Sequence, residues 1–213
     1  MTLRGVWAER LGRRFARLAT RAVVAQPVLW RLFRRPVQAQ FDRIAGVWDN
    51  RRGPEALAPL AAALERVETA ARVLDLGTGT GKAARLLAER YPGATVLGVD
   101  LAPRMVEEAR SLVPPELAGR LRFEVGDAAA LPYADASFDL VVLLNMIPFF
   151  PELARVTAPG GAAVFAFSSG RATPIYVPPG TLRERLAPLG FVAFEEVAAG
   201  GGTALLAHMR REG

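Results

Sequence analysis

The chain of 213 residues has no cysteine, a single histidine (His208) and a single lysine (Lys82). Without cysteine there is no disulfide framework, no thiol nucleophile and no thiolate metal site. With one histidine as well, a structural zinc or a histidine-rich centre has almost no ligands, and no metal is expected. Long apolar runs are absent too. None approaches the ~20 residues of a membrane-spanning helix. The stretch after Arg21, where a signal peptide would need continuous apolar residues, is cut by Pro27 and followed by Arg31, Arg34 and Arg35. The chain therefore reads as cytoplasmic. A hydrophobic fraction of 51% excludes a disordered chain, and the length suits one core with an appendage.

Acidic residues are scarce at one end. Residues 1–52 hold 12 Arg against Glu9, Asp42 and Asp49 and carry +9; residues 53–213 carry −3, which gives the net +6. Genome composition accounts for Arg being used in place of Lys, but not for its position. The same segment holds all three tryptophans, Trp7, Trp30 and Trp48. Leu3, Trp7, Leu11, Phe15, Leu18 and Ala22 recur at spacings of four and three, one stripe of a helix, with Arg10, Arg13, Arg17 and Arg21 on a neighbouring face. Such a basic amphipathic helix docks on its own domain, on a second subunit or on an anionic membrane surface, so residues 1–35 read as a docking element. A short helix is expected at 28–35, interrupted by Pro36, then helices at 37–46 and from Pro54 to about Thr69. Residues 1–52 thus form a basic helical N-terminal extension, and residues 53–213 the main domain.

From Arg72 the pattern alternates. Apolar strands are expected at 73–76, 95–99, 121–125, 138–144, 162–167, 191–197 and 203–209, with helices at 82–90, 103–113, 151–157 and 179–189. That alternation predicts an α/β fold, a doubly wound parallel sheet with helices on both faces. The last two strands, joined by Gly200-Gly201-Gly202, are close enough to pair antiparallel.

The densest chemical signal is Asp75-Leu76-Gly77-Thr78-Gly79-Thr80-Gly81, between a strand and a helix. Glycines here permit a tight turn and let a ligand touch the backbone. Asp100 ends the next strand at the spacing where a carboxylate accepts hydrogen bonds from ribose hydroxyls. A P-loop is excluded: Ala83 follows Lys82 where a hydroxyl is needed, and Leu76 stands where the first glycine should be. A dinucleotide fingerprint is met only in its relaxed form, by Gly79, Gly81 and Ala84. The third reading is a ligand without pyrophosphate, with Asp75 answering an ammonium group.

Asp-x-Gly-x-Gly-x-Gly followed by a strand-end Asp resembles the class I S-adenosylmethionine (SAM)-dependent methyltransferases. Val99-Asp100-Leu101 resembles their ribose-binding segment and Gly126-Asp127-Ala128 their adenine turn. Phe138-Asp139-Leu140-Val141-Val142 is similar to their fourth strand, and Pro159-Gly160-Gly161 to the approach to the fifth. Phe41-Asp42-Arg43-Ile44-Ala45 with Trp48-Asp49 resembles an N-terminal element of the ubiquinone/menaquinone-biosynthesis-like, type 11 group. The resemblance implies a Rossmann-like seven-stranded sheet of order 3-2-1-4-5-7-6 with the last strand antiparallel. It implies SAM as cofactor. Asp75 would meet its amino group, Gly77, Thr78, Gly79 and Thr80 would line it, Asp100 and Leu101 would hold ribose and adenine, and Asp127 and Ala128 would read the adenine. Asn145, at the end of the fourth strand, would face the methionine part.

Methyl transfer by in-line displacement gains most from alignment and desolvation, so a dedicated base is optional. The substrate-side candidates are Asn145, Tyr176 and Trp48; the resemblance implies that the loop 170–180, which holds Tyr176, and the extension 1–52, which holds Trp48, form the substrate roof over a class I methyltransferase domain at 53–213. His208 and Met105 read as structural and Lys82 as a solvated first-turn residue. The apolar Met146-Ile147-Pro148-Phe149-Phe150 segment points to a small hydrophobic or lipid-like acceptor, with peripheral contact to an anionic membrane through residues 1–35. Asn145-Met146-Ile147-Pro148-Phe149 fails the Asn-Pro-Pro-Tyr/Phe tetrad of amino-methylating DNA enzymes; RNA stays open because Arg-rich helices also bind phosphate, but nucleic acid is not the expected partner. The alternatives are an NAD(P)-dependent oxidoreductase of Rossmann type, or a SAM-binding scaffold without catalysis.

Overall fold

The computed structural model describes residues 3–49 and 53–211, with the side chains of 12–49, 53 and 55–211. Seven strands form one sheet: β1 (Arg72–Leu76), β2 (Thr95–Asp100), β3 (Leu121–Val125), β4 (Phe138–Leu144), β5 (Thr157–Phe167), β6 (Phe191–Ala199) and β7 (Gly202–Met209). Their order is 3-2-1-4-5-7-6, parallel from β3 to β5, with β7 antiparallel to both β5 and β6. The expected order and the antiparallel last strand are what the structure shows. β1 and β4 are apolar on both faces because both are covered. Val73, Leu140, Val142 and Val164 pack with helices α3 (Ala58–Leu64) and α4 (Lys82–Arg90) on one side. Leu74, Val141, Leu143 and Phe165 pack on the other with α6 (Phe150–Val156) and α7 (Pro179–Leu186). Helix α5 (Pro103–Ser111) flanks β3.

The N-terminal segment differs from expectation in two ways. Helix α1 spans Leu3–Ala25, but its buried line runs through Ala19, Thr20 and Val23, whereas Leu18 is 62% exposed. Alanine at 16 and 19 lets the helix backbone approach the domain closely, which a leucine stripe would prevent. The Leu3, Trp7, Arg10 and Leu11 side chains lie outside the described residues. Secondly, Pro36 does not divide two helices. Helix α2 runs unbroken from Trp30 to Ile44 with Pro36 inside it. An interior proline costs about 3 kcal/mol. Phe33, Val37 and Phe41, spaced by four and half-buried, give that helix enough packing to continue through it.

Helix α1 lies against its own domain. Arg13 Nη2 donates to Ala172 O at 2.8 Å, and Arg185 Nη2 of α7 donates to Val24 O at 2.7 Å at the end of α1. Phe15 meets Phe33 across the two helices with ring centroids 5.9 Å apart. The helix expected from Pro54 to Thr69 is a 3-10 turn, Pro54–Leu57, followed by α3, which stops at Leu64. β5 starts five residues earlier than expected, at Thr157, through a register shift against β4.

Candidate cofactor site

The turn after β1 is held from below. Gly77 N–H and Thr78 N–H both donate to Val99 O of β2, at 2.8 and 3.0 Å. Gly77 and Gly79 take positive φ, +68° and +56°. A Cβ on Gly77 would come within 2.7 Å of Met146 Cγ, so this turn needs glycine for conformation and for space. Gly81, also left-handed, starts α4.

Four carboxylates surround this turn. Asp75 is buried, and its Oδ2 accepts 2.6 Å from Thr78 Oγ1 while Oδ1 has no partner. Burial, helped by the Asp100 charge, raises its pKa to about 7, against the pull of the Thr78 hydroxyl and the Ala84 backbone N–H. Asp100 receives Gly79 N–H on Oδ2 at 2.8 Å and Ala102 N–H on Oδ1 at 2.9 Å; burial raises its pKa, and those amides work the other way. Asp127 Oδ1 accepts Ala129 N–H at 2.9 Å and the Trp30 indole N–H at 2.8 Å. Asp49, from the N-terminal segment, receives the Thr80 hydroxyl on Oδ1, and Lys82 Nζ donates to its carbonyl at 3.2 Å. Lys82 is thus tied to the extension and is not a solvated first-turn residue.

Asp75, Gly77, Thr78, Gly79, Thr80, Asp100, Leu101, Asp127, Ala128 and Asn145 all line one cavity. Trp48 lines it as well, its indole nitrogen 3.3 Å from where a Cβ on Gly79 would sit. Asn145 has φ +54°, and its side chain is engaged with Ser168: Nδ2 donates to Oγ at 3.0 Å and Oδ1 accepts the Ser168 N–H at 3.0 Å. Tyr176 does not line the cavity. Its ring packs edge-on against Phe167 at 5.1 Å, and the preceding Ile175 faces the cavity instead. Met105, expected to be structural only, is buried and packed with Phe41, Ile44 and Trp48, and it also lines the cavity. His208 stays in β7, 3.7 Å from Glu195.

The N-terminal extension was expected as a roof over the acceptor, but the residues it brings to the wall, apart from Trp48, were not named. Phe15, Ala19, Trp30, Val37 and Gln38 line the same cavity as the glycine turn. The available signal was the placement of Trp30 in an otherwise Arg-rich stretch. Arg155 was also missed as a fastener of the loop after the adenine-type turn. It donates to Leu131 O, Tyr133 O, Asp135 and Glu152, and Glu152 accepts the Leu131 N–H at 2.7 Å.

A SAM-shaped ligand fits this donor set on three observations. An unpartnered, buried carboxylate oxygen suits an ammonium, a carboxylate at the end of β2 suits a ribose, and glycines leave the space between them open. An ionised Asp75 at the head of the turn would repel a phosphate placed there.

Residues 73–161 match the family described as "Methyltransferase domain". A malonyl-[acyl-carrier protein] O-methyltransferase of Halorhodospira halophila is 46% identical over 114 residues, 48% of this chain and 38% of the relative. A demethylmenaquinone methyltransferase of Thermus thermophilus is 46% identical over 101 residues, 44% of this chain and 45% of the relative. The chain thus spans about half the length, or less, of the curated relatives it matches. A SAM-dependent methyltransferase of Aquifex aeolicus superposes with a TM-score of 0.62 at 18% identity, covering 76% of this chain and 96% of that one, a likeness of fold. The domain match places residues 73–161 in this methyltransferase-domain family, on a sheet whose order is that of the SAM-dependent methyltransferase fold.

Proposed function

We propose that this protein transfers a methyl group from SAM to a small hydrophobic or lipid-like acceptor. The observation that carries the reading is the two-part make-up of the cavity lining: the glycine turn with Asp75, Asp100 and Asp127, and the apolar side chains Phe15, Ala19, Val37, Met146 and Ile175. When bound, SAM supplies a methyl group on a sulfonium whose displacement releases a neutral thioether.

The chain's own residues then have three tasks. Asp75 would hold the amino-acid end of the cofactor, Asp100 its ribose and Asp127 its adenine end, so that its methyl is aimed in one direction. The apolar wall strips water from the acceptor, which raises the reactivity of its nucleophilic atom. Asn145, fixed on Ser168, and Trp48, packed edge-on to Phe41 at 5.4 Å, complete the cavity lining. The only ionisable side chains lining the cavity, among the described residues, are Asp75, Asp100, Asp127 and Lys82. All four are grouped on the cofactor side, so the acceptor supplies an atom that is nucleophilic without a dedicated base. Incubation with SAM and a panel of hydrophobic phenols, quinols, lipids and small amines, read as S-adenosylhomocysteine release, tests this. Release confined to the apolar acceptors is expected. Cofactor binding with no release across the panel would favour the scaffold reading.

A peripheral membrane contact is supported by the outer face of the N-terminal helices. Leu18, Val28 and Leu32 are 62%, 62% and 69% exposed, among Arg14, Arg17, Arg21, Arg31 and Arg35, all exposed. Residues 10–41 contain no acid. Exposed leucines between arginines suit an anionic bilayer surface, where the apolar tips enter the interface and the guanidinium groups meet headgroups. No helix among the described residues is long and apolar enough to cross a membrane.

A further inference from the structure

Asp127 sits in the turn after β3, and its nearest side-chain donor comes from 97 residues earlier. The Trp30 indole N–H donates 2.8 Å to Oδ1, the same oxygen that accepts the Ala129 N–H. Oδ2 keeps only Arg34 Nη1, at 3.7 Å, among the described residues. That distance exceeds a hydrogen bond, and Arg34 is half exposed. The carboxylate is therefore sorted: one oxygen is spent on protein N–H groups, and the other remains for a ligand donor.

Trp30 itself is well fixed. It is 8% exposed, its ring meets Phe149 edge-on at 5.1 Å, and it lines the cavity. Asp127 thus takes its orientation partly from helix α2, an element that the Rossmann-type core does not contain.

We infer that Trp30 is a positioning residue for adenine recognition: it holds the Asp127 carboxylate so that Oδ2 accepts from the exocyclic amino group of the cofactor's adenine. The inference rests on the cavity being the SAM site. It makes the N-terminal helices part of the cofactor site, because any displacement of α2 releases the acid that reads the base.

The test uses the full chain and two ligands, S-adenosylhomocysteine and its deaminated analogue S-inosylhomocysteine, which has a carbonyl in place of the amino group. Trp30→Phe keeps the ring against Phe149 and removes the donor. It should weaken S-adenosylhomocysteine binding about 5- to 10-fold, the net worth of one ordinary hydrogen bond, and leave S-inosylhomocysteine unchanged. A merely structural Trp30 would weaken both alike, and that result overturns the inference, as does no change for either. Asp127→Asn gives a second test that does not depend on the tryptophan variant folding. Its carbonyl oxygen must take the Oδ1 place facing two N–H donors, which turns its NH2 toward the ligand, so preference should reverse toward the inosine analogue. Retained preference for the adenosine ligand overturns the inference. If the wild-type chain binds neither ligand, the cofactor reading itself fails, and this inference with it.

Discussion

Thr78 Oγ1 donates to Asp75 Oδ2 at 2.6 Å, across three residues of the same turn, and Asp75 Oδ1 is left buried with no partner. One oxygen accepts the Thr78 hydroxyl; the other makes no hydrogen bond of good geometry, although the Ala84 backbone N–H lies near enough to favour the charged form. An unmet buried acceptor costs about 1–3 kcal/mol. The cost is retained where a ligand meets it.

That cost has a pH signature. Burial puts the Asp75 pKa at about 7, while an unfolded chain has the ordinary aspartate value near 4. Between these limits the folded protein keeps a proton that the unfolded chain gives up, so this group's contribution to stability falls as pH rises from about 4 through about 7. Asp75→Asn, with no charge to bury, should be more stable than wild type at pH 8 by at least about 1 kcal/mol, with the advantage shrinking at pH 5. Urea denaturation at the two pH values measures it. At pH 6.5, SAM binding should release protons as its ammonium draws Asp75 into the charged form. Calorimetry in buffers of different ionisation enthalpy reads that release; proton uptake would contradict the assignment.

Gly77 separates conformational need from mere sequence habit. Its φ of +68° and the 2.7 Å approach of Met146 to a hypothetical Cβ predict that Gly77→Ala loses about 1–2 kcal/mol of stability from backbone conformation alone. Gly93, with nothing within 4 Å of a Cβ, is the control, and Gly93→Ala should change stability by less than about 0.5 kcal/mol. Chemical denaturation of the pair provides the comparison.

Asp100 is held by the Gly79 and Ala102 amides at 2.8 and 2.9 Å, each oxygen keeping a second lone pair. Asp100→Ala should weaken SAM binding by more than about 1.5 kcal/mol, the loss of a charged acceptor. Titration calorimetry measures it, and unchanged affinity would remove the ribose assignment.

The turn after β1, the strand-end Asp100 and the sheet itself were legible because each depends on local pattern: apolar runs of strand length, glycines where φ is positive, an acid at a fixed spacing. The unbroken α2 was not, since the proline rule is local and the packing of Phe33, Val37 and Phe41 that overrides it is tertiary. The offset of the α1 stripe from Leu18 to Ala19 and Val23 has the same cause. A hydrophobic stripe shows that a helix buries a face, while the small residues within it decide how close that face comes. The bonds of Trp30 to Asp127 and of Thr80 and Lys82 to Asp49 join distant parts of the chain, and no spacing rule foresees them.

The exposed leucines of the N-terminal helices lead to a separate expectation. Vesicles containing phosphatidylserine should sediment the full chain in low salt, and Leu18→Ser with Leu32→Ser should weaken that association several-fold while leaving SAM affinity intact. Vesicles of neutral lipid should retain little. If anionic vesicles sediment neither protein, the membrane reading fails.

The central claim is that the cavity over the glycine turn recognises a sulfonium nucleoside and not a dinucleotide. Calorimetric titration of the full-length protein with SAM, S-adenosylhomocysteine and NADH tests it most directly. The account predicts saturable one-to-one binding of the first two, competitive with each other, and no heat of binding from NADH. Binding of NADH without binding of SAM would contradict it.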